Sequence, residues 1–341
     1  MGRFLRNNKG IALILTLLII SIIVSVTLQF NRYMRDDLYA AVNLRDGIKH
    51  GHIAKSGFNY ALAVLYEDDT NVDSLHDTWA DSETLSEKSA DLFEDGRFKL
   101  ELSDHSGMIQ INSLVDEKGK YNNIQKDLLT RFLQTPEFGL KDEEVDHIVN
   151  AIKDWIDADD DPTGFGGAEN SYYQGLETPY SCQDAPVEFL EELLLVKGIN
   201  RELFYGTEKI PGIASFLSPH GDGKININTA EPLVLRALIK DNPSDKMKEE
   251  MAYDMDEYRQ NEDNKESLSS TNWYKSVSGM SDVTIPPDLL TTLSTFFEIN
   301  SEGQQKRANA SEGFEWVTAK QVTAIVQRKD GELNILSWKI E

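Results

Sequence analysis

The chain has 341 residues, 40% of them hydrophobic and 27% charged, with a formal net charge of −24 and one cysteine, Cys182. That length and apolar content can bury a real core, in two folded units or in one unit with a large insertion, and they exclude disorder throughout. The negative field repels phosphate backbones and anionic lipid surfaces and favours cationic partners or metal ions, and a lone cysteine excludes an intrachain disulfide.

Residues 11–31 carry no formal charge and are mostly Ile, Leu and Val, enough to cross a hydrocarbon core that needs about 20 apolar residues. Arg3, Arg6 and Lys9 precede them with no acidic residue, so the leader stays cytoplasmic and the body lies on the far side of the membrane. An ordinary secretory signal places its small-residue exit after an apolar run of about 7–15 residues. Here the small residue, Gly10, stands before the run. Cleavage after Gly10 removes the charged leader and starts the mature chain at Ile11 with its helix intact, an arrangement that resembles the type IV prepilin class. Beyond the span, apolar residues at helical spacing (Met34, Leu38, Ala41, Ile48, Leu62, Leu65) extend the helix to about residue 66. Gly47, Gly51 and Gly57 predict a kink in it.

After an acidic stretch, alternation at Phe98, Leu100 and Leu102 reads as a strand, and residues 108–111 read as its hairpin partner. Residues 122–264 are helical in pattern. Asp184, Pro186 and Gly198 punctuate a helix over 185–197. Strands return at 296–300, 315–328 and 332–340, the last two joined across Asp330 and Gly331. The order of helix, strands, helices and strands predicts one α/β domain split by a helical insertion, because the early strands need the late ones to complete a sheet.

The helix over 140–156 aligns Val145, Ile148, Val149, Ile152 and Trp155 on one face and runs into Asp157, Asp159, Asp160 and Asp161. Between Asp154 and Glu169 there is no Lys or Arg. Such a loop is either solvated or holds a cation. Many hard oxygen ligands suit Ca²⁺, and the negative end of the preceding helix favours it further. The DxDxD spacing of Asp157, Asp159 and Asp161 is that of an EF-hand, but Pro162 and Ala168 stand where that motif needs glycine and glutamate. A glycosidase-like carboxylate pair would need an apolar cleft, for which a continuous acidic loop is a poor candidate.

Residues 224–230 (KININTA) read as the entry to a helix-hairpin-helix unit with Thr229 as N-cap and Pro232 in the first turn, but acidic residues outnumber basic ones over 224–264. That balance opposes DNA binding and favours a packing role. Trp155, Tyr172, Tyr173, Trp273 and Trp316 are explained by packing more readily than by a sugar surface. His50 and His52 point apart on a helix and make no zinc pair. Cys182 has no histidine near it in sequence and reads as an idle thiol.

In order along the chain, these pieces resemble the minor pseudopilin K (GspK) family of the type II secretion system. They are the leader ending at Gly10 with its apolar helix, Asp154-Trp155-Ile156-Asp157-Ala158-Asp159 with Pro162, and Gly167-Ala168-Glu169 with Tyr172-Tyr173. Pro179-Tyr180, Glu192-Leu193 with Val196 and Gly198-Ile199, and residues 225–230 follow. The resemblance implies an α/β fold in which a pilin-like long N-terminal helix packs on a small antiparallel sheet, interrupted by a large all-α insertion. The expected divisions are a leader over 1–10, a transmembrane helix over 11–30, a first pilin-like part over 31–115, an insertion over 116–285 and closing strands over 286–341.

It also implies Ca²⁺ held by Asp157, Asp159, Asp161 and Glu169, with Asp184 a further candidate, and no enzymatic activity. The implied partners are minor pseudopilins of the I, J and H classes, the major pseudopilin, the prepilin peptidase, the inner-membrane assembly platform, the secretin and exoprotein substrates, and no nucleic acid. The body would be periplasmic and anchored in the bacterial inner membrane. Pilins generally carry glutamate five residues into the mature chain. Leu15 stands there in this chain, as in the K class, which implies a subunit that begins or caps the filament at its tip. Ile11 departs from the phenylalanine common at mature pilin termini, where N-methylation occurs. The rival readings are a minor pilin of a type IV pilus or DNA-uptake system and a membrane-anchored calcium-dependent hydrolase. Mass spectrometry of the mature protein should find Ile11 at its N-terminus; a start beyond residue 30 would mean an ordinary signal peptide.

Overall fold

The computed structural model describes residues 9–68, 71–240, 244–309 and 313–341, so leader residues 1–8, including Arg3 and Arg6, lie outside the described residues. Helix α1 (Lys9–Glu67) is followed by α2 (Ser82–Glu87), β1 (Gly96–Asp104), β2 (Ile109–Gln110), α3 (Asn123–Leu133), α4 (Asp142–Ile156), α5 (Asn170–Tyr173) and α6 (Arg201–Tyr205). Then come β3 (Leu217–Ser218), β4 (Ile225–Asn226), α7 (Pro232–Leu238), α8 (Asp245–Gln260), β5 (Leu290–Thr291), β6 (Phe296–Asn309), β7 (Gly313–Lys329) and β8 (Glu332–Ile340).

Helix α1 runs 59 residues without interruption, roughly 90 Å at 1.5 Å per residue. By length and composition it is long and apolar enough to cross a membrane. Its Ile, Leu and Val side chains between residues 11 and 28 are exposed, whereas Ile53, Ala54, Phe58, Ala61 and Leu65 are buried against the sheet. The glycines do not interrupt the helix. Gly57 instead brings the helix down onto the strands: a Cβ there would lie 2.3 Å from Ser301 Oγ and 2.8 Å from Phe98 Cγ. From the other side, a Cβ on Gly303 would lie 2.1 Å from the carbonyl oxygen of His50. Close packing thus offsets a helix-propensity cost of about 1 kcal/mol.

The sheet has the order β1-β6-β7-β8. The expected hairpin between residues 96–102 and 108–111 does not form. β1 pairs antiparallel with β6 over nine positions, from Gly96 opposite Gln305 to Asp104 opposite Phe297, and β2 pairs in parallel with β3. A nine-residue strand has more to gain from the long β6 than from a four-residue neighbour. The outer edge of β1 is closed by hydroxyls: Ser89, Ser86 and Ser82 Oγ accept from the N–H groups of Phe98, Leu100 and Leu102 at 3.1, 2.8 and 3.3 Å. Capped strand edges do not recruit other chains.

Between β1 and β6 the chain builds a second core, from Ile109 to Leu290, around Phe132, Val149, Trp155, Tyr173, Leu235 and Met280. The helix expected over 185–197 is reduced to a 3-10 segment, Leu190–Leu195. Asp184 has a positive φ of 50°, and the Glu192 carboxylate accepts from the N–H groups of Glu188 and Phe189 at 2.9 and 2.7 Å, which starts the turn late. The N-cap of α7 is Glu231, with Pro232 at its first position, and not Thr229, whose hydroxyl is used elsewhere. Trp155, Tyr173 and Trp273 are buried and form no exposed sugar platform; Trp273 stacks on Tyr258 at 5.5 Å. His50 is buried and His52 exposed, so the two share no ligand position.

A buried polar network joins the two cores. Asp104, the last residue of β1, accepts from Ser106 N at 2.7 Å, Thr229 Oγ1 at 2.5 Å, Ser294 Oγ at 2.5 Å and Asn226 Nδ2 at 3.4 Å. Asn226 and Asn228 both donate to the carbonyl of Asp73, at 3.2 and 3.0 Å, and Arg328 of β7 pairs with Asp73 and, at 2.9 Å, with Asp68. Burial holds the Asp104 carboxyl above its ordinary range despite four donors. Losing that acceptor strands buried donors at about 1–3 kcal/mol each. Asp104→Ala should therefore lower unfolding stability by about 3 kcal/mol in urea titrations of the detergent-solubilised protein, whereas Ser82→Ala, a half-buried residue with one long bond to the edge of β1, should cost under about 1 kcal/mol.

Candidate functional site: a carboxylate pocket at the end of α4

Three acidic residues in its first turn and Lys153 in its last suit the dipole of α4. Its apolar stripe is buried, with Trp155 edge-on to Tyr173 at 5.3 Å. The helix delivers Asp154 and Asp157 to the start of the acidic loop. Asp154, fully buried, organises that loop: its carboxylate accepts from Thr163 N at 3.0 Å and Ala168 N at 2.7 Å. The loop folds this tightly because Gly167 has no side chain; a Cβ there would lie 2.3 Å from Asp154 Oδ2. Gly166, at φ 94°, would likewise collide with His147.

Two overlapping groups of ligand-type atoms result, Asp154 with Asp157 and Glu169, and Glu169 with Cys182 and Asp184, the atoms within each lying no more than 4.8 Å apart. Glu169 belongs to both. Its two carboxylate oxygens, Asp157 Oδ1 and Asp184 Oδ1 are buried without a hydrogen-bond partner. Asp157 Oδ2 is bonded by the Lys153 ammonium, and Asp184 Oδ2 accepts from Asn170 Nδ2 at 3.3 Å. Asp159 and Asp161 are exposed, with Asp159 Oδ1 accepting from Asp161 N at 3.0 Å, and neither belongs to these groups. The structure thus gathers Asp157, Glu169 and Asp184 and adds Asp154, a residue that the spacing argument passed over because it lies inside the helical repeat.

Burial raises the Glu169 carboxyl to about 8, helped by repulsion from Asp154, Asp157, Asp184 and Asp160. Burial also raises Asp157, against the pull of Lys153. Cys182 is pushed up to about 12, chiefly by burial, which favours the neutral thiol. Four inward-facing oxygens without donors fit a hard, oxygen-seeking divalent cation, which would replace the missing partners. Residues that could hold it are Asp157, Glu169 and Asp184, with Asp154 shaping the loop behind them.

A long N-terminal helix laid across an antiparallel sheet, with a helical insertion carrying this pocket, defines a pilin-like protein with an elaborated head. A family model described as type II secretion system (T2SS), protein K, matches residues 107–209, the stretch that contains the pocket. Type II secretion system protein K of Pseudomonas aeruginosa is 28% identical over 248 residues, 70% of each chain. The same protein of Aeromonas hydrophila is 26% identical over 69% of this chain and 71% of its own. In the solved GspK-GspI-GspJ complex of the enterotoxigenic Escherichia coli type 2 secretion system, the matching chain has a TM-score of 0.61 at 15% identity, covering 87% of this chain and 97% of that one. Residues 107–209 thus match the protein K domain of the type II secretion system, and the chain is similar to proteins of that name over about 70% of its length.

The raised carboxyl of Glu169 predicts a pH dependence. A group whose folded value of about 8 exceeds its unfolded value near 4.5 contributes stability below the latter, and that contribution is lost as pH rises through 8. In chelator, the solubilised protein should lose about 2–4 kcal/mol between pH 5 and pH 8 from this group, and Glu169→Gln should flatten that loss in urea titrations at the two pH values.

Proposed function

We propose that this minor pseudopilin of the type II secretion system begins or caps the tip of a periplasmic pseudopilus that drives folded exoproteins through the outer-membrane secretin. The observation that carries the reading is the division of α1: an exposed apolar shaft ahead of His50, and a buried stretch behind it that carries the head. An exposed shaft of that length is covered by lipid before assembly and by neighbouring shafts afterwards. Leu15, exposed on the shaft, offers no charge to pair with the terminal amine of a subunit above it. That suits a subunit with nothing above it, and the bulk of the head blocks further stacking. The structural relative belongs to a GspK-GspI-GspJ complex, which supports I- and J-class minor pseudopilins as partners here. H-class and major pseudopilins, the prepilin peptidase and the assembly platform complete the assembly in this reading. The body is periplasmic, the anchor lies in the inner membrane, and the role is structural with no catalysis. A type IV pilus or DNA-uptake role is disfavoured by the family.

Within that role the carboxylate pocket holds Ca²⁺ through Asp157, Glu169 and Asp184. The ion's chemistry is charge neutralisation, which fastens the loop over residues 157–169 to the end of α4. Deletion of the gene should make exoproteins accumulate in the periplasm, and cysteine cross-linking along α1 should recover other minor pseudopilins. Intact secretion together with lost pili or lost DNA uptake would overturn the reading. Calcium should raise the melting temperature of the wild type and leave that of Asp157→Ala unmoved; an equal response in both, or none in the wild type, would remove the ion from the account.

A further inference from the structure

Lys153 is the one basic side chain bonded to a carboxylate of the pocket among the described residues. It stands in the last turn of α4, one helical turn before Asp157, with its side chain 10% exposed and that of Asp157 fully buried. Burying an ammonium is costly unless it is paired. Here it is paired, with the Asp157 oxygen adjacent to the one that has no donor. On its other side stands the Tyr121 ring, with Nζ 5.8 Å from the centroid. The ring is fixed by Tyr121 OH donating to Asn150 Oδ1 at 2.6 Å, and Asn150 Nδ2 donates in turn to the carbonyl of Phe165 in the acidic loop at 3.1 Å. A second lysine, Lys197, donates to the loop carbonyls of Gly166 and Gly167 at 3.1 and 3.4 Å and to no pocket carboxylate.

A divalent cation bound through Asp157 would lie within a few ångströms of the Lys153 ammonium, in surroundings where like charges are poorly screened. The two positive groups compete for the same carboxylate. When the metal is absent, the lysine neutralises Asp157 and keeps the pocket from flying apart. When the metal enters, Lys153 must give up its bond or be repelled, and it has no vacant seat on Tyr121, whose ring already carries the Lys126 ammonium 4.3 Å from its centroid. Lys197 supports the loop in either state, because it binds neutral carbonyl oxygens.

We propose that Lys153 is a tethered counter-cation that competes with calcium for Asp157 and so sets the metal affinity of the pocket. The inference rests on the calcium reading given above. It separates two jobs that a simple ligand set would merge, stabilising the metal-free fold and tuning the affinity, and it assigns both to a residue that is not a ligand.

The test is isothermal titration of Ca²⁺ into chelator-stripped, detergent-solubilised full chain, with thermal melts in EGTA and in saturating calcium, for wild type, Lys153→Met and Lys153→Arg. Lys153→Met should bind calcium about tenfold more tightly or better, melt lower than wild type in EGTA, and melt at or above wild type in calcium. Lys153→Arg, which keeps the charge, should bind within about threefold of wild type, well short of a full charge removal. If Lys153→Met does not fold, Lys153→Gln, which retains a hydrogen bond to Asp157 without the charge, is expected to show the same tightening. A wild type that binds calcium alongside a neutral variant that binds equally or more weakly overturns the inference and leaves the calcium reading standing. A purely structural lysine would lower both melts equally and leave the affinity unchanged, which also overturns it. Absence of binding in the wild type would instead defeat the calcium reading itself.

Discussion

Asp104 is the hinge point of the molecule. The chain leaves the sheet at this residue and returns at Phe296, and the carboxylate of Asp104 is bonded by groups from both sides of the excursion, Ser106 on departure and Ser294 on return, with Thr229 and Asn226 from within it. A buried carboxylate with these donors tolerates little displacement of any of them, since each would be left unsatisfied in a low-dielectric interior. The two cores are therefore joined by directional bonds over a short span, and the head takes one orientation on the shaft.

The second constraint is the seat of α1 on the sheet. Gly57 and Gly303 remove the side chains that would hold the helix off the strands, and Ser301 Oγ uses the approach to donate to the Ala54 carbonyl at 2.8 Å. The serine hydroxyls along β1 close one margin of the sheet. The membrane-length part of α1 is not buried against the rest of the described residues.

The carboxylate pocket obeys a different logic. Asp154 is consumed by backbone N–H groups and makes the loop; Asp157, Glu169 and Asp184 retain oxygens with no protein donor. Burial, helped by the neighbouring carboxylates, raises the carboxyl of Glu169, and protons, the proposed metal ion and Lys153 are alternative ways to compensate such oxygens. On the proposed calcium reading these three would compete at one place on the head.

The sequence by itself determined the elements whose signals are local. The charge-free run after Gly10, the apolar stripe of α4 ending at an acidic loop, and the alternation in the last strands were all legible, because helix and strand periods and turn residues act over a few positions. The ordered series of motifs around Asp154, Glu169, Tyr173 and Asn226 was enough to point to the family. Only the tertiary structure decided which strand pairs with β1, why a glycine stands at position 57 of α1, and that Thr229 serves Asp104 instead of capping α7. Only it decided which acidic residues meet, drawing Asp154 and Asp184 in with Asp157 and Glu169 and leaving Asp159 and Asp161 in solvent. The reason is common to all four. Each is set by what lies opposite across the fold, where burial and unsatisfied bonds outweigh local preference, and partners distant in the chain leave no periodic trace in it.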